Sequence, residues 1–140
     1  MAIPQSFDGI WWSVEVPPGW HAHRDEECAT FQGSPSIGAF QIGSAQKEVG
    51  PITDADLEEF ALDRIPERVQ LVQVAYGQFS GFTASFQKDD LMWKEWWLRA
   101  GRLMVYASYN VVAHSLDAAV NEQADVETML ATLKIKAMQV

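Results

Sequence analysis

The stretch "DLMWKEWWLRAGRLMVYASYN", residues 90–110, holds three tryptophans within five positions. Successive side chains of a β-strand point to opposite faces, so every second residue shares a face. One face then carries Trp93, Glu95, Trp97 and Arg99, and the other carries Met92, Lys94, Trp96 and Leu98. The residues after Ala100-Gly101 are apolar on both faces too. An antiparallel sheet with one face in water would show a polar row, so the stretch predicts a hairpin covered on both faces.

Two interpretations of the tryptophans stay open. In the first, the hairpin lies at the centre of the sheet and Glu95 pairs with Arg99 at the border of one face. In the second, part of the aromatic set forms an exposed groove. The chain has six tryptophans in 140 residues, and tryptophan is enriched at interaction surfaces.

Further strands are indicated on both sides of this hairpin. In "GIWWSVEV" the apolar residues Ile10, Trp12, Val14 and Val16 alternate with others, which is typical of a strand with one apolar face. Other predicted strands are "CATFQGS" and "GAFQIGSAQ", joined by a turn at residues 33–36, and then "VQLVQVAY" and "QFSGFTASFQ".

Two helices are predicted from their caps and their periodicity. Thr53 and Asp56 have the spacing of a capping box, and an apolar repeat follows at Leu57, Phe60, Ala61 and Ile65. Near the end of the chain Ser115 is expected to cap a second helix. Its apolar face is formed by Val126, Met129, Leu130 and Leu133, a spacing typical of a helix that packs on a core.

Strands that come in runs predict an α+β protein rather than an alternating α/β one. We expect one domain over residues 1–140. Its centre is a mainly antiparallel sheet of about 6–7 strands, covered by helices on both faces as an α/β/α sandwich. The two helices are the only covers that the pattern offers.

The charge of the chain restricts its partners. There are 10 basic and 19 acidic residues, a formal net charge of −9, which argues against nucleic acid and against anionic membrane surfaces. A basic protein partner fits the charge, as does solubility alone. Ten carboxylates on the two helices are expected to face water: Asp54, Asp56, Glu58, Glu59, Asp63, Glu67, Asp117, Glu122, Asp125 and Glu127.

The candidate partner-binding residues are Glu58 and Glu59, for steering, and Trp20, for contact. Trp20 follows the Pro17-Pro18-Gly19 turn, where we expect an exposed indole. The electrostatic field of the acidic residues acts mainly on the association rate of a partner, whereas a buried aromatic anchor acts on its dissociation rate.

No constellation of residues predicts catalysis. "HAHRDEE", residues 21–27, brings His21 and His23 together but follows a turn and is expected to be a solvated loop. Cys28 is the only cysteine, and is expected to be a small buried hydrophobe. We therefore predict a protein that is not an enzyme, with no cofactor, metal or catalytic residue. A lone cysteine, no signal peptide and no apolar run long enough to span a membrane favour the cytoplasm.

Several phrases resemble the PsbP-like superfamily, which groups the photosystem extrinsic protein P with the yeast Ran-release factor and small bacterial proteins. They are "VPPGW", "GAFQIGSAQ" before an acidic helix, "GQFSGF" and the "EWWLRAGRLMVYASYN" hairpin. The resemblance implies a central antiparallel sheet between helices. It also implies action by binding other proteins, such as a GTPase, a photosystem core or secreted effectors. It transfers no catalytic residue.

The sequence as a whole thus predicts a non-catalytic cytoplasmic protein-binding module, immunity- or chaperone-like, with an acidic surface for a basic partner. The alternative is a small-molecule-binding or enzymatic domain with an aromatic pocket. The oligomeric state stays open.

Overall fold

The computed structural model describes residues 5–25, 28–33 and 36–136. Within them lie ten strands: β1 Gln5–Asp8, β2 Trp12–Val16, β3 His21–Arg24, β4 Cys28–Gln32, β5 Ala39–Gln46, β6 Val72–Tyr76, β7 Phe79–Lys88, β8 Leu91–Ala100, β9 Leu103–Val112 and β10 Lys134–Ile135. Two α-helices, α1 Asp54–Leu62 and α2 Val120–Ala131, complete the fold.

Seven of the strands form one sheet in the order β3-β4-β5-β9-β8-β7-β6, with every neighbouring pair antiparallel. The hairpin β8–β9 lies inside this sheet and runs in register from Leu91 opposite Val112 to Ala100 opposite Leu103. Gly101 begins its two-residue turn with φ 58°, a value that glycine adopts without steric cost. The predicted hairpin is confirmed, and its turn lies one residue later than predicted because Ala100 still pairs with Leu103.

The remaining three strands form a small sheet in the order β1-β2-β10. Trp12, Val14 and Val16 of β2 are buried in one apolar cluster with Val126, Met129, Leu130 and Leu133. Trp96 and Leu98 of β8 belong to the same cluster. One layer of the molecule is therefore built from α2 together with the small sheet, and we call it the α2 layer.

On the opposite face of the large sheet, α1 packs over β7 and β8. Leu57 and Ala61 form a second buried cluster with Phe82, Ala84 and Trp97. Trp96 and Trp97 are thus consecutive residues, each at most 1% exposed, that belong to different clusters. The alternation predicted for this strand is confirmed, and α1 with the segment after it is called the α1 layer.

The α+β class and the mainly antiparallel sheet are confirmed. The sequence offered only helices as covers, yet the first predicted strand pairs in the small sheet and itself contributes to the α2 layer. No helix of the described residues is long and apolar enough to span a membrane.

The start of α1 is confirmed in detail, but its apolar face is narrower than predicted. The Thr53 hydroxyl accepts from the Asp56 amide at 3.1 Å, and Asp56 accepts from the Thr53 amide at 2.9 Å. Phe60, predicted to pack on the sheet, is 43% exposed. The centroid of its ring lies 6.1 Å from the centroid of the Tyr106 ring. The helix ends at Leu62, so Ile65 packs from the segment that follows it.

Other boundaries also differ from the predictions. Ser115 lies inside a 3₁₀ turn, Ala113–Ser115, and α2 begins at Val120 with no side-chain cap. Lys134–Ile135 leaves the helix to pair with Ser13 and Trp12, because the free side of β2 offers backbone partners there. Ile10 precedes β2 and is 62% exposed. Residues 34–35 of the predicted turn lie outside the described residues.

Candidate functional site

Trp20 lies where the chain crosses from the small sheet to the large one. The turn before it closes with a hydrogen bond from the Trp20 amide to the Pro17 carbonyl at 3.2 Å, and Gly19 has φ 87°. The indole is half-buried against the cluster of the α2 layer. Its Nε1 donates to Asp125 Oδ2 at 2.9 Å. Trp20 is therefore held in place, and it is less exposed than predicted.

A cleft of about 290 Å³ lies beside this indole, between the turn and α2. It is lined by Pro18, Gly19, Trp20, Gly33, Ile37, Ala118, Asn121, Glu122 and Asp125. Glu122 and Asp125 are three residues apart on α2, which places them on one side of the helix. The lining residues include two carboxylates, an indole and an amide, and no lysine, arginine or histidine. We call this the Trp20 cleft.

Glu122 is buried, 6% exposed, and three hydrogen-bond donors surround its carboxylate. The Ile37 amide donates to Oε2 at 3.0 Å, the Gly38 amide to Oε1 at 2.6 Å, and the Tyr109 hydroxyl to Oε1 at 2.7 Å. Burial and the adjacent carboxylate raise the pKa of Tyr109 well above its usual value. The prediction that Glu122 faces water is wrong, because these donors replace its hydration.

Gly38 makes this arrangement possible. A Cβ at position 38 would lie 2.5 Å from the Asn110 carbonyl oxygen and 2.7 Å from the Tyr109 hydroxyl. Only glycine lets the backbone approach Tyr109 this closely, so that the Gly38 amide and the Tyr109 hydroxyl reach the same oxygen of Glu122.

The α1 layer contains the other buried carboxylate of the described residues, Glu95, which is 1% exposed. Arg64 Nη2 lies 3.2 Å from Glu95 Oε2, and the Tyr106 hydroxyl donates to the same oxygen. The Arg64 guanidinium also lies over the Tyr106 ring, 4.7 Å from its centroid. Burial and Glu95 raise the pKa of Tyr106.

The predicted pair between Glu95 and Arg99 is wrong. Four positions along a strand span about 13 Å, which is too far for these two side chains to meet. Arg99 instead pairs with Asp54 at the start of α1, at 2.7 Å.

Glu58 and Glu59, the two acids predicted to steer a partner, are exposed on α1. They lie in the α1 layer, whereas Trp20 lies in the α2 layer, so the structure does not bring the three residues onto one surface. Five of the ten helix carboxylates have no bonding partner among the described residues: Glu58, Glu59, Asp63, Glu67 and Asp117. Three others, Asp54, Asp56 and Glu127, pair with Arg99, Lys47 and Lys94.

The histidine-rich segment forms the exposed edge strand β3 rather than a loop. His23 lies 3.2 Å from Asp25, while Glu26 and Glu27 lie outside the described residues. His21 is opposite Gln32, at the far end of β4 from Cys28. Cys28 is half-buried, which is less than predicted. In the described ranges, no group of three or more histidine, cysteine, aspartate or glutamate side chains is placed to hold a metal ion.

The centre of the tryptophan hairpin provides no aromatic groove. Trp96 and Trp97 are in the core, and Trp93 stacks on Phe86 with an interplanar angle of 9°. Trp20, which lines the cleft described above, is distant in sequence from the hairpin.

Comparison with solved structures shows a shared fold. A crystal structure from Bacteroides thetaiotaomicron VPI-5482 matches with a TM-score of 0.65 at 18% sequence identity. The match covers 96% of this chain and 48% of that one, so this chain spans about half the length of the Bacteroides chain. Cyanobacterial PsbP (CyanoP) from Synechocystis sp. PCC 6803 matches with a TM-score of 0.47 at 9% identity, over 97% of this chain and 94% of that one.

The match to the Bacteroides structure shows a likeness of fold, and the PsbP-like resemblance drawn from the sequence stays a prediction. Nothing about activity follows at these identities. No protein-family model matches the chain, and no curated protein matches its sequence.

The buried role of Glu122 could have been found from the sequence. Residues 122, 126, 129 and 133 are spaced by four, three and four positions, which is the spacing of one helix face. The other three members of this set are the apolar residues Val126, Met129 and Leu133. A glutamate in register with a buried stripe indicates a carboxylate that has partners inside the protein.

Proposed function

We propose that this protein is a non-catalytic, cytoplasmic protein-binding module, immunity- or chaperone-like, whose partner presents a basic segment. The observation that supports the proposal is the set of carboxylates that the chain leaves without a cation. On α1 and just after it, Glu58, Glu59, Asp63 and Glu67 are exposed and have no bonding partner among the described residues.

Such a surface acts before contact is made. Carboxylates of one sign add to a field that reaches about one Debye length, roughly 8 Å at physiological ionic strength. The field raises the rate at which a basic partner arrives, and salt lowers that rate. The net charge of −9 adds to the same attraction.

The test begins with affinity capture from the cell that makes the protein, followed by kinetics with the purified partner. We expect a partner with a basic segment and an association rate that falls as salt rises. At the same salt concentration, the double variant Glu58→Lys/Glu59→Lys should associate more slowly than the unsubstituted protein, and its dissociation rate should be nearly unchanged.

A matched control is Glu15→Lys/Glu48→Lys, which makes the same change in net charge at exposed positions outside α1. If both double variants slow association equally, the α1 surface has no special role. A captured partner whose association rate does not depend on salt would overturn the proposal itself.

The alternative function, a small-molecule-binding domain, is favoured by the Trp20 cleft. Its lining residues include no serine, cysteine, lysine or histidine that could act as a nucleophile. Glu122, the most buried of its acids, already accepts three hydrogen bonds. For these reasons we assign binding rather than catalysis to the cleft.

A further inference from the structure

We propose that the Trp20 cleft binds one organic cation, an alkylammonium or guanidinium group, with Asp125 and Glu122 as its counter-charges and Trp20 as its aromatic wall. When the cation is a lysine or arginine side chain of the basic partner, this inference rests on the proposed function. A free amine would be recognised by the same chemistry.

The first argument is the missing counter-charge. Glu122 is a buried carboxylate with three donors and no ion pair among the described residues. Two of the donors are backbone amides, which cannot accept a proton from a carboxylic acid, so the arrangement suits the anion. Burying a charge is least costly when it is both hydrogen-bonded and paired with an opposite charge, and within the described part of the chain Glu122 has the hydrogen bonds without the pair.

The comparison with Glu95 shows that the chain supplies such a cation elsewhere. Glu95 is equally removed from water and has Arg64 at 3.2 Å. The residues that line the Trp20 cleft include a second carboxylate, Asp125, and no base. The cleft therefore carries two carboxylates with no cation among its lining residues, which leaves their charge available to an external cation.

The second argument is the wall beside these acids. An indole attracts a cation placed over its face, and the attraction grows as water is excluded. Trp20 is fixed for this role because its Nε1 donates to Asp125 Oδ2. The same bond leaves the second carboxylate oxygen of Asp125, which receives no hydrogen bond from the described residues.

The third argument is size and shape. About 290 Å³ is at the small end of the range of ligand pockets, so the cleft suits a single side chain or a small amine rather than a folded element. Pro18, Ile37 and Ala118 also line it. These residues provide an apolar surface for the methylene stem, of the kind that lysine and arginine stems cover elsewhere.

The experiment uses the whole protein labelled with ¹⁵N, and follows the indole N–H signal of Trp20, assigned by its loss in Trp20→Phe. The probes are butylammonium chloride and N-acetyl-lysine N-methylamide, with N-acetyl-norleucine N-methylamide as the uncharged match. We expect both cations to shift the Trp20 signal in a saturable way, and the uncharged match to leave it unchanged.

The decisive variant is Asp125→Asn, which keeps an oxygen that can accept from Trp20 while removing the charge. We expect it to weaken cation binding at least tenfold. Glu59→Gln removes the same charge in the α1 layer and should leave the affinity within about twofold, since screening limits distant charges.

The two sources of the cation are distinguished by the two probes. Tighter binding of the lysine derivative than of butylammonium indicates a protein side chain, and equal binding indicates a free amine. Either result supports the site. An unsaturable shift, an equal shift with the norleucine match, or an unchanged affinity in Asp125→Asn would overturn it.

Failure of this inference is distinguishable from failure of the proposed function. If the cations do not bind but association with the captured partner still depends on salt and on Glu58 and Glu59, only the cleft assignment is wrong. If the cations bind but no salt-dependent partner is found, the cleft stands and the protein-binding proposal falls.

Discussion

The α1 layer and the α2 layer each contain one buried glutamate, and the two glutamates have different partners. Glu95, beneath α1, has an arginine and a tyrosine hydroxyl as partners. Glu122, on α2, has two backbone amides and a tyrosine hydroxyl. Both carboxylates accept from a tyrosine of β9, Tyr106 for Glu95 and Tyr109 for Glu122, which are three positions apart. Among the described residues, only Glu95 of the two has a cation.

Under the cation-binding proposal, this difference separates a structural acid, Glu95, from one that a ligand's charge can pair with, Glu122. In the α1 layer the buried charge of Glu95 is paired with Arg64, and this pair fastens the segment after α1 to the sheet. The α2 layer satisfies the hydrogen bonds of Glu122 and leaves its charge uncompensated next to a cleft. Burial alone does not distinguish the two roles, whereas the nature of the partners does.

The largest expected effect comes from removing the packing that holds α2, since α2 carries Glu122 and Asp125. Leu130 is fully buried, and Leu130→Ala should lower the free energy of unfolding by about 2–5 kcal/mol. Denaturant melts measure this loss in the free energy of unfolding, with Phe60→Ala as a matched control. Phe60 is 43% exposed and should cost about 1 kcal/mol. A loss below about 0.5 kcal/mol for Leu130→Ala would show that α2 is not docked.

The next effect tests the pairing of buried Glu95 with Arg64. Arg64→Met leaves Glu95 buried without its cation, and should cost about 3 kcal/mol, at the low end for a buried pair because Arg64 is partly exposed. Urea unfolding measures the loss. The double variant Arg64→Met/Glu95→Gln should recover at least half of it, since no buried charge is left unpaired. A double variant as unstable as the single one contradicts this reasoning.

A smaller effect compares the two tyrosines directly. Tyr109→Phe removes the only side-chain donor that Glu122 has among the described residues and should cost about 2 kcal/mol, as expected for a hydrogen bond to a charged group. Tyr106→Phe leaves Glu95 its arginine and should cost about 1 kcal/mol. Thermal and urea unfolding of the two variants give the difference. Equal losses, or the opposite order, would remove the distinction between the two carboxylates.

The smallest effect is the loss of stability of the unsubstituted protein at high pH. All three tyrosines donate to carboxylates, Tyr76 to Glu127 as well as the two just named, and burial followed by these neighbours raises the pKa of each. The unfolded value is about 10. The stabilisation is therefore complete below pH 10 and is lost as the pH rises further.

Absorbance at 295 nm measures the ionisation of these tyrosines. The folded protein should show almost no phenolate near pH 10, and ionisation should coincide with unfolding at higher pH. A tyrosine that titrates near pH 10 while the circular dichroism stays native would contradict the bonds described here.

Local patterns predicted much of the large sheet. The alternation around Trp96 and Trp97 placed both residues correctly, because adjacent strand residues must face opposite ways. The capping box at Thr53 and Asp56 is equally local. Contacts between distant residues were beyond this reasoning. The bond from Trp20 to Asp125 joins residues 105 positions apart, and no periodicity encodes it.

The candidate site shows the same limit. Trp20 was singled out for following a turn, but its half-buried position depends on α2. Glu122 and Asp125 were assigned to solvent with the other helix acids, although the spacing of Glu122 with Val126 and Met129 pointed inwards. The donors that make this burial possible, Ile37 and Gly38, come from another part of the chain.

The small sheet has a consequence for the order in which the molecule assembles. Its middle strand, β2, pairs with β10, so that Trp12 lies opposite Ile135, and the Glu15 amide donates to the Thr132 hydroxyl 117 positions away. Contacts of such long sequence separation slow folding, because a large loop must close before they form. During synthesis β2 has no backbone partner on that side until residues 134–135 have left the ribosome. The large sheet, whose central hairpins are local, can form first.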